Sequence, residues 1–200
     1  MNEGESGSRK SSQSLQVVNV CTLIGGVGLL TLSLWPGYVI GCLLFLAYPL
    51  IALLVVVWLF IVIRALPKPA GRGERIPLRQ MLFAPVIVCV TFFLLVFYIP
   101  RRVAFRLCMG QFERQLNGNP AASQPVAMNR WLGIYRVDEI GADPRGGVYF
   151  RTGTAADMID TISYGFAHHP NSGGSPFGNA NYRLHPIAPG WYWFETSNDW

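Results

Sequence analysis

The sequence predicts an integral membrane protein with three transmembrane α-helices, a juxtamembrane amphipathic helix and a small antiparallel all-β domain at the C-terminal end. Apolar residues make up 51% of the chain and charged residues only 14%, whereas about a quarter of a soluble domain is charged. The shortage of charge is concentrated, because no Asp, Glu, Lys or Arg occurs in residues 15–63 or 81–100. From residue 130 onward the pattern changes to short segments rich in aromatic residues, separated by turns.

The first charge-free run is too long for a single transmembrane helix. It spans residues 15–63, and one spanning helix needs about 20 residues. The Trp-Pro-Gly-Tyr sequence at residues 35–38 permits a tight turn and carries aromatic side chains suited to the headgroup level. We therefore expect helices near residues 17–34 and 39–63, preceded by a disordered polar tail at residues 1–14.

A third helix is expected near residues 82–99, with Pro85 in its first turn. Buried helices of a soluble protein are the alternative interpretation, but residues 51–63 lack the polar stripe that such helices keep. A cleaved signal peptide is the alternative for the first helix. No small-residue cleavage site precedes Trp35, which favours a retained signal anchor.

The distribution of basic residues predicts the orientation in the membrane. With the N-terminus inside, seven Lys/Arg of the short flanking segments face the cytoplasm and four lie outside. The sequence thus predicts a multi-pass protein of the cell membrane with a cytoplasmic N-terminus and an exoplasmic or periplasmic C-terminal domain.

The net charge of +5 does not indicate nucleic-acid binding. Residues 1–116 carry 11 Lys/Arg and four Asp/Glu, whereas residues 117–200 carry five and seven. The basic residues therefore cluster beside the apolar segments, where they orient helices and meet anionic lipid. The expected partners are the lipid bilayer and a membrane protein or a second copy of this chain, with no nucleic acid.

Residues 101–117 are predicted to form the juxtamembrane helix. Phe105, Cys108, Met109, Phe112 and Leu116 recur at spacings of three or four, which makes one apolar stripe. This stripe can lie in the headgroup layer or pack on the folded domain, and the pattern does not decide between the two. A linker rich in Pro, Ala and Ser is expected at residues 118–129, before the β-rich domain at residues 130–200.

Five strands are expected in this domain, joined by turns at Asp143-Pro144-Arg145-Gly146-Gly147 and Ala188-Pro189-Gly190. They are residues 131–137, 147–151, 161–167, 182–186 and 191–196. The segment between the third and fourth is long for so small a domain, and long loops are often functional. Its candidate interaction residues are His168, His169, Asn171, Phe177 and Asn179.

The sequence favours a non-enzymatic, membrane-anchored module that binds a partner or braces a membrane complex. The alternative is a metal-dependent or hydrolytic enzyme using His168, His169, His185, Asp157 and Asp160. Adjacent strand residues point to opposite faces, so His168 and His169 are not expected to share one metal. No phosphate-binding, zinc-binding or nucleophile motif occurs. We therefore assign no catalytic, cofactor-binding or metal-binding residue and no cofactor.

Overall fold

The computed structural model describes residues 3–35, 52–53, 55–60, 63, 78–118, 124–156 and 161–197. These residues belong to two compact units. The first lies within Met1–Leu32 and Cys42–Phe97, and the second within Ser33–Gly41 and Tyr98–Trp200.

The first unit contains two long helices, α1 (Glu3–Leu32) and α2 (Leu78–Val96). The structure differs from the predicted disordered tail at residues 1–14, because α1 already begins at Glu3. Nucleation is the costly step of helix formation, and each added residue then contributes one hydrogen bond. The apolar part of α1 can thus extend the helix backward into the polar residues.

The two helices pack side by side and run in the same direction. The side-chain amide of Asn19 donates to the carbonyl oxygen of Gln80 over 3.1 Å. Two turns further along, a Cβ on Gly26 would lie 2.8 Å from Thr91 Oγ1 and 3.4 Å from Ile87 Cγ2. Glycine at this position therefore allows the close approach of the helices, as small residues commonly do in membranes.

By length and composition, one helix in the described part of the chain can cross a membrane, Leu15–Leu32 of α1. A signal sequence has the same properties. A second span is possible only if the two helical segments Leu82–Val96 and Ile99–Gly118, which are separated by a short break, are counted together as one span. Most of the predicted helix at residues 39–63 lies outside the described residues, although residues 52–53, 55–60 and 63 are helical. Three spans therefore stay a prediction.

The third predicted helix ends earlier than residue 99. It stops at Val96, Tyr98 adopts a left-handed φ of 53°, and a new helix, α3 (Ile99–Gly118), begins. Pro100 explains the break, because a proline has no N–H to continue the helical ladder yet fits the first turn of a new helix.

The second unit contains α3 and a six-stranded antiparallel sheet. Its strands are β1 (Val126–Leu132), β2 (Tyr135–Ala142), β3 (Val148–Ala156), β4 (Thr161–His168), β5 (Ala180–Ala188) and β6 (Trp191–Ser197). The order across the sheet is β1-β2-β3-β4-β6-β5. The predicted antiparallel β domain is thus confirmed, and its last hairpin turns at Gly190 as expected, with φ of 72°.

One predicted strand is wrong. Residues 131–137 are not continuous but span the end of β1, a two-residue turn and the start of β2. Gly133 occupies the turn with φ of 67°, and a Cβ there would collide with Cys108. A linker was predicted at residues 118–129, but its last four residues belong to β1, which begins at Val126.

The two faces of the sheet bury different partners. The apolar stripe of α3, formed by Ala104, Phe105, Cys108 and Phe112, packs against one face. This packing decides the question that the sequence left open about α3. The opposite face carries a second cluster built from Tyr149, Ala167, Phe177 and Phe194.

Candidate functional site

The predicted interaction loop, His168–Asn179, begins at the last residue of β4, and its residues 169–179 fold over the second face of the sheet. The ring of Phe177 is buried and stacks on Phe194, with 6.1 Å between ring centroids and 10° between planes. The guanidinium of Arg151 lies 5.1 Å from the centre of the Phe177 ring, and Arg151 also pairs with Glu139 at 2.7 Å. Phe177 therefore holds the loop to the sheet and is not available to a partner.

Arg145 links the β2–β3 turn to this loop. Its Nε and Nη2 atoms donate to the two carboxylate oxygens of Asp143 over 2.9 and 2.7 Å. Nη1 donates to the carbonyl oxygen of Gly173 over 2.8 Å, and Nη2 also reaches Asn179 Oδ1 at 3.2 Å. A planar guanidinium suits such a forked arrangement. These hydrogen bonds hold the pKa of the buried Asp143 carboxyl below its usual value.

Two tyrosine side chains on the sheet form hydrogen bonds with the middle of the loop. The Tyr149 hydroxyl donates to the carbonyl oxygen of Gly174 over 3.0 Å, and the Tyr182 hydroxyl donates to that of Asn171 over 3.1 Å. The two hydroxyl oxygens are 2.9 Å apart. Burial is the main cause of a raised pKa at both phenols. Both stay protonated at neutral pH and act as hydrogen-bonding groups.

Asn171 is also occupied by the loop itself. Its side-chain nitrogen donates to the carbonyl oxygen of Gly146 over 3.0 Å, and its Oδ1 accepts from the backbone N–H of Gly173 over 2.7 Å. Together with Asn179, which accepts from Arg145, this residue orders the loop. Three of the five predicted interaction residues, Asn171, Phe177 and Asn179, therefore have structural contacts, although the Asn179 side chain remains exposed.

The expectation that His168 and His169 point apart is wrong. Their ring centroids are 4.3 Å apart, with 72° between planes. The cause is the backbone, because β4 ends at His168 and His169 adopts a left-handed φ of 46°. Burial, and secondarily the neighbouring His169, lower the pKa of His168, so its imidazole is neutral at pH 7.

Of the remaining residues of the enzyme alternative, the structure describes His185, which is not grouped with this pair as a metal ligand. His185 lies on β5, with its ring 5.7 Å from that of Tyr98. Asp157 and Asp160 lie outside the described residues. Within the described ranges, no three His, Cys, Asp or Glu side chains are grouped so that they could hold a metal ion.

Sequence reasoning missed the residues that shape the site, namely Asp143, Arg145, Tyr149 and Tyr182. The Asp-Pro-Arg-Gly-Gly sequence at residues 143–147 indicated a turn, and the turn is present. Nothing in its local pattern indicates that Arg145 reaches residues 28 and 34 positions further along the chain. The exposed surface of the ordered loop consists of polar or small residues, including His169, Ser172, Gly173 and Asn179.

No protein-family profile, curated protein or solved structure matches this chain.

Proposed function

We propose that this chain is a multi-pass membrane protein whose outer β domain is a non-enzymatic module that binds a partner protein or braces a membrane complex. The observation that carries the proposal is the ordered loop 169–179. Its hydrogen bonds to Arg145, Tyr149 and Tyr182 remove most of its conformational freedom. A pre-ordered surface loop loses less entropy on binding, which favours recognition.

The direction of the two long helices supports three membrane spans. Asn19 contacts Gln80, and Gly26 faces Ile87 and Thr91, so α1 and α2 are parallel. Parallel neighbours joined by one chain require an intervening segment that returns across the same thickness. The charge-free run at residues 39–63 has the length and composition for that return.

A return span also explains why the second compact unit contains two separate segments of the chain, Ser33–Gly41 and Tyr98–Trp200. With two crossings between residues 35 and 98, both positions lie on the same side of the membrane. Trp35 Nε1 donates to the carbonyl oxygen of Ile134 over 3.3 Å, and Leu34 packs on the main core of the domain. Residues before and after the two proposed crossings thus both contribute to the core of the domain, which favours a brace over a module connected at one end only.

Site-directed photo-cross-linking in intact membranes tests the partner. A photo-reactive phenylalanine analogue replaces Ser172 on the loop and, as a matched control, the exposed Thr154 on β3. We expect a discrete adduct of higher mass from position 172 and none from position 154. Co-expression of two differently tagged copies distinguishes a second copy of this chain from another protein. Recovery of the monomer alone from both positions would contradict the proposal.

The close contact of His168 and His169 favours one alternative, the metal-dependent or hydrolytic enzyme that would use these residues with His185, Asp157 and Asp160. Metal analysis of the detergent-purified protein discriminates between the two functions. A stoichiometric metal that is lost in His185→Ala would favour the enzyme.

A further inference from the structure

Arg101 is a buried cation in the first turn of α3. Its residue is only 6% exposed, and none of the described residues accepts a hydrogen bond from its Nε atom. Its guanidinium lies 4.7 Å from the centre of the Trp193 ring and 5.3 Å from that of Tyr98. Aromatic faces stabilise a cation, but they accept no strong N–H hydrogen bond. The Nε–H group of Arg101 is therefore left without an oxygen acceptor among the described residues.

The nearest acidic group does not supply this acceptor. Glu195 influences Arg101 electrostatically, yet no ion pair joins the two within 4.0 Å among the described side chains. Glu195 Oε1 instead accepts from Trp193 Nε1 over 3.2 Å, and the residue lies opposite Arg183 in the β5–β6 register. A buried charged donor without an acceptor is costly.

A second donor without a hydrogen-bond partner lies at the start of β2, in the same core cluster as Trp193. The hydroxyl of Tyr135 is buried and has no hydrogen-bond partner in the described part of the chain. Its pKa is raised, chiefly by burial, while the positive charge of Arg101 acts in the opposite direction. Buried donors without a protein acceptor favour a ligand that offers several oxygen acceptors, as a phosphate group does.

The position of Arg101 along the chain indicates the source of the phosphate. Tyr98 follows the end of α2 by two residues, which is the headgroup level if α2 spans the membrane. The outer side of α3 adds the exposed basic residues Arg102 and Arg106 and the exposed apolar residues Val103 and Leu107. Such a mixture is typical of a helix surface that meets headgroups and the upper acyl chains.

We propose that Arg101, whose guanidinium lies over the rings of Tyr98 and Trp193, binds the phosphate of a membrane phospholipid. This inference rests on the membrane anchorage proposed above, and it makes the juxtamembrane end of the domain a specific lipid site. The guanidinium provides forked hydrogen bonds to the phosphate oxygens, and its contacts with the two rings stabilise its charge.

Native mass spectrometry of the detergent-purified full chain tests the site. Extraction of the membranes with alkaline carbonate comes first, because release of the chain would refute the anchorage itself. With an anchored chain, we expect one retained molecule of dioleoylphosphatidylglycerol per protein, and no retained dioleoylglycerol, which lacks the phosphate. Equal retention of the two lipids would overturn the phosphate site. Displacement of the phospholipid by millimolar inorganic phosphate would show a free-anion site and overturn the lipid source.

An arginine near the other end of α3 provides the matched control. Arg101→Met is expected to weaken phospholipid retention about tenfold or more, because a charge-assisted hydrogen bond is lost. Arg114→Gln should change it less than about twofold, because Arg114 is exposed and its Nε donates only to the carbonyl oxygen of Gly110 in its own helix. Near-ultraviolet circular dichroism checks that each variant folds. If Arg101→Met does not fold, Arg101→Lys, which keeps the charge without the fork, should still bind several-fold more weakly. Equal effects at positions 101 and 114, or undiminished binding by Arg101→Lys, would contradict the proposal.

Discussion

At the scale of single residues, aromatic side chains stabilise the C-terminal domain. Phe112 of α3 lies at the centre, with its ring centroid 5.2 Å from that of Phe150 and 5.3 Å from those of Phe105 and Phe166. Edge-to-face and tilted pairs of this kind contribute beyond their buried area. A small domain buries a limited share of its surface. Burial of each of these rings therefore contributes substantially to the free energy of unfolding.

Phe112→Ala is therefore expected to lower the free energy of unfolding by about 3–5 kcal/mol, the usual cost of removing a fully buried ring. Leu107→Ala on the same helix is the control, because Leu107 is 83% exposed, and its effect should stay within about 0.5 kcal/mol. Urea unfolding of the detergent-solubilised chain, followed by tryptophan fluorescence, measures both. Similar midpoints for the two variants would show that α3 does not bury its stripe against the sheet.

At the scale of elements, the loop 169–179 has a fixed shape because residues outside it supply its hydrogen bonds. Asp143 and Arg145 come from the β2–β3 turn, Tyr149 from β3 and Tyr182 from β5. The Asp143–Arg145 pair is the part of this network that titrates at acidic pH.

The loop should lose order in acid. The folded-state pKa of Asp143 lies below the unfolded value of about 3.9. The stabilisation by the ionised carboxylate is therefore fully present above that value and is lost as the pH falls through the folded-state pKa. We expect amide exchange in residues 171–178, corrected for intrinsic rates, to accelerate below about pH 4.

Two variants make this prediction specific. Asp143→Asn should show faster exchange in the loop already at pH 7 and little further change in acid. Asp138→Asn is the control, since Asp138 forms only a loose 3.7 Å contact with the exposed Arg136. A loop whose protection in the wild type is unchanged down to pH 2 would refute the role assigned to Asp143.

At the scale of the whole molecule, the proposed membrane topology rests on two structural observations. The parallel contact of α1 with α2 requires a returning segment, and the residues after α1 belong to the same compact unit as the C-terminal domain. The excess of basic residues in the N-terminal tail and at residues 64–79 favours the cytoplasm for both.

Cysteine labelling in intact cells tests this topology. With the native thiols replaced, Ser172→Cys should react with a membrane-impermeant maleimide added from outside, because Ser172 is exposed on the outer domain. Gly71→Cys, in the segment between the second and third predicted helices, should react only after lysis. Labelling of Gly71→Cys alone would reverse the orientation, and labelling of both from outside would exclude three spans.

The sequence by itself determined the features that depend on local chemistry. The first charge-free run predicts the apolar helix that contains Leu15–Leu32. The spacing of Phe105, Cys108 and Phe112 predicts α3 with its apolar stripe, and Pro189-Gly190 predicts the last hairpin. Each depends on neighbours within a few residues, where hydropathy and backbone sterics dominate. The turn at Gly133 was missed because alternating apolar residues on both sides of it resemble one continuous strand.

Only the tertiary structure decided which surfaces meet. It showed that the α3 stripe packs on the sheet, that Phe177 covers the second face, and that Arg145 fastens a loop about 30 residues away. These contacts depend on the strand order β1-β2-β3-β4-β6-β5, which brings distant segments together. A local pattern contains the apolar stripe or the charged group but not the identity of its partner, because that partner is selected by the packing of the whole domain.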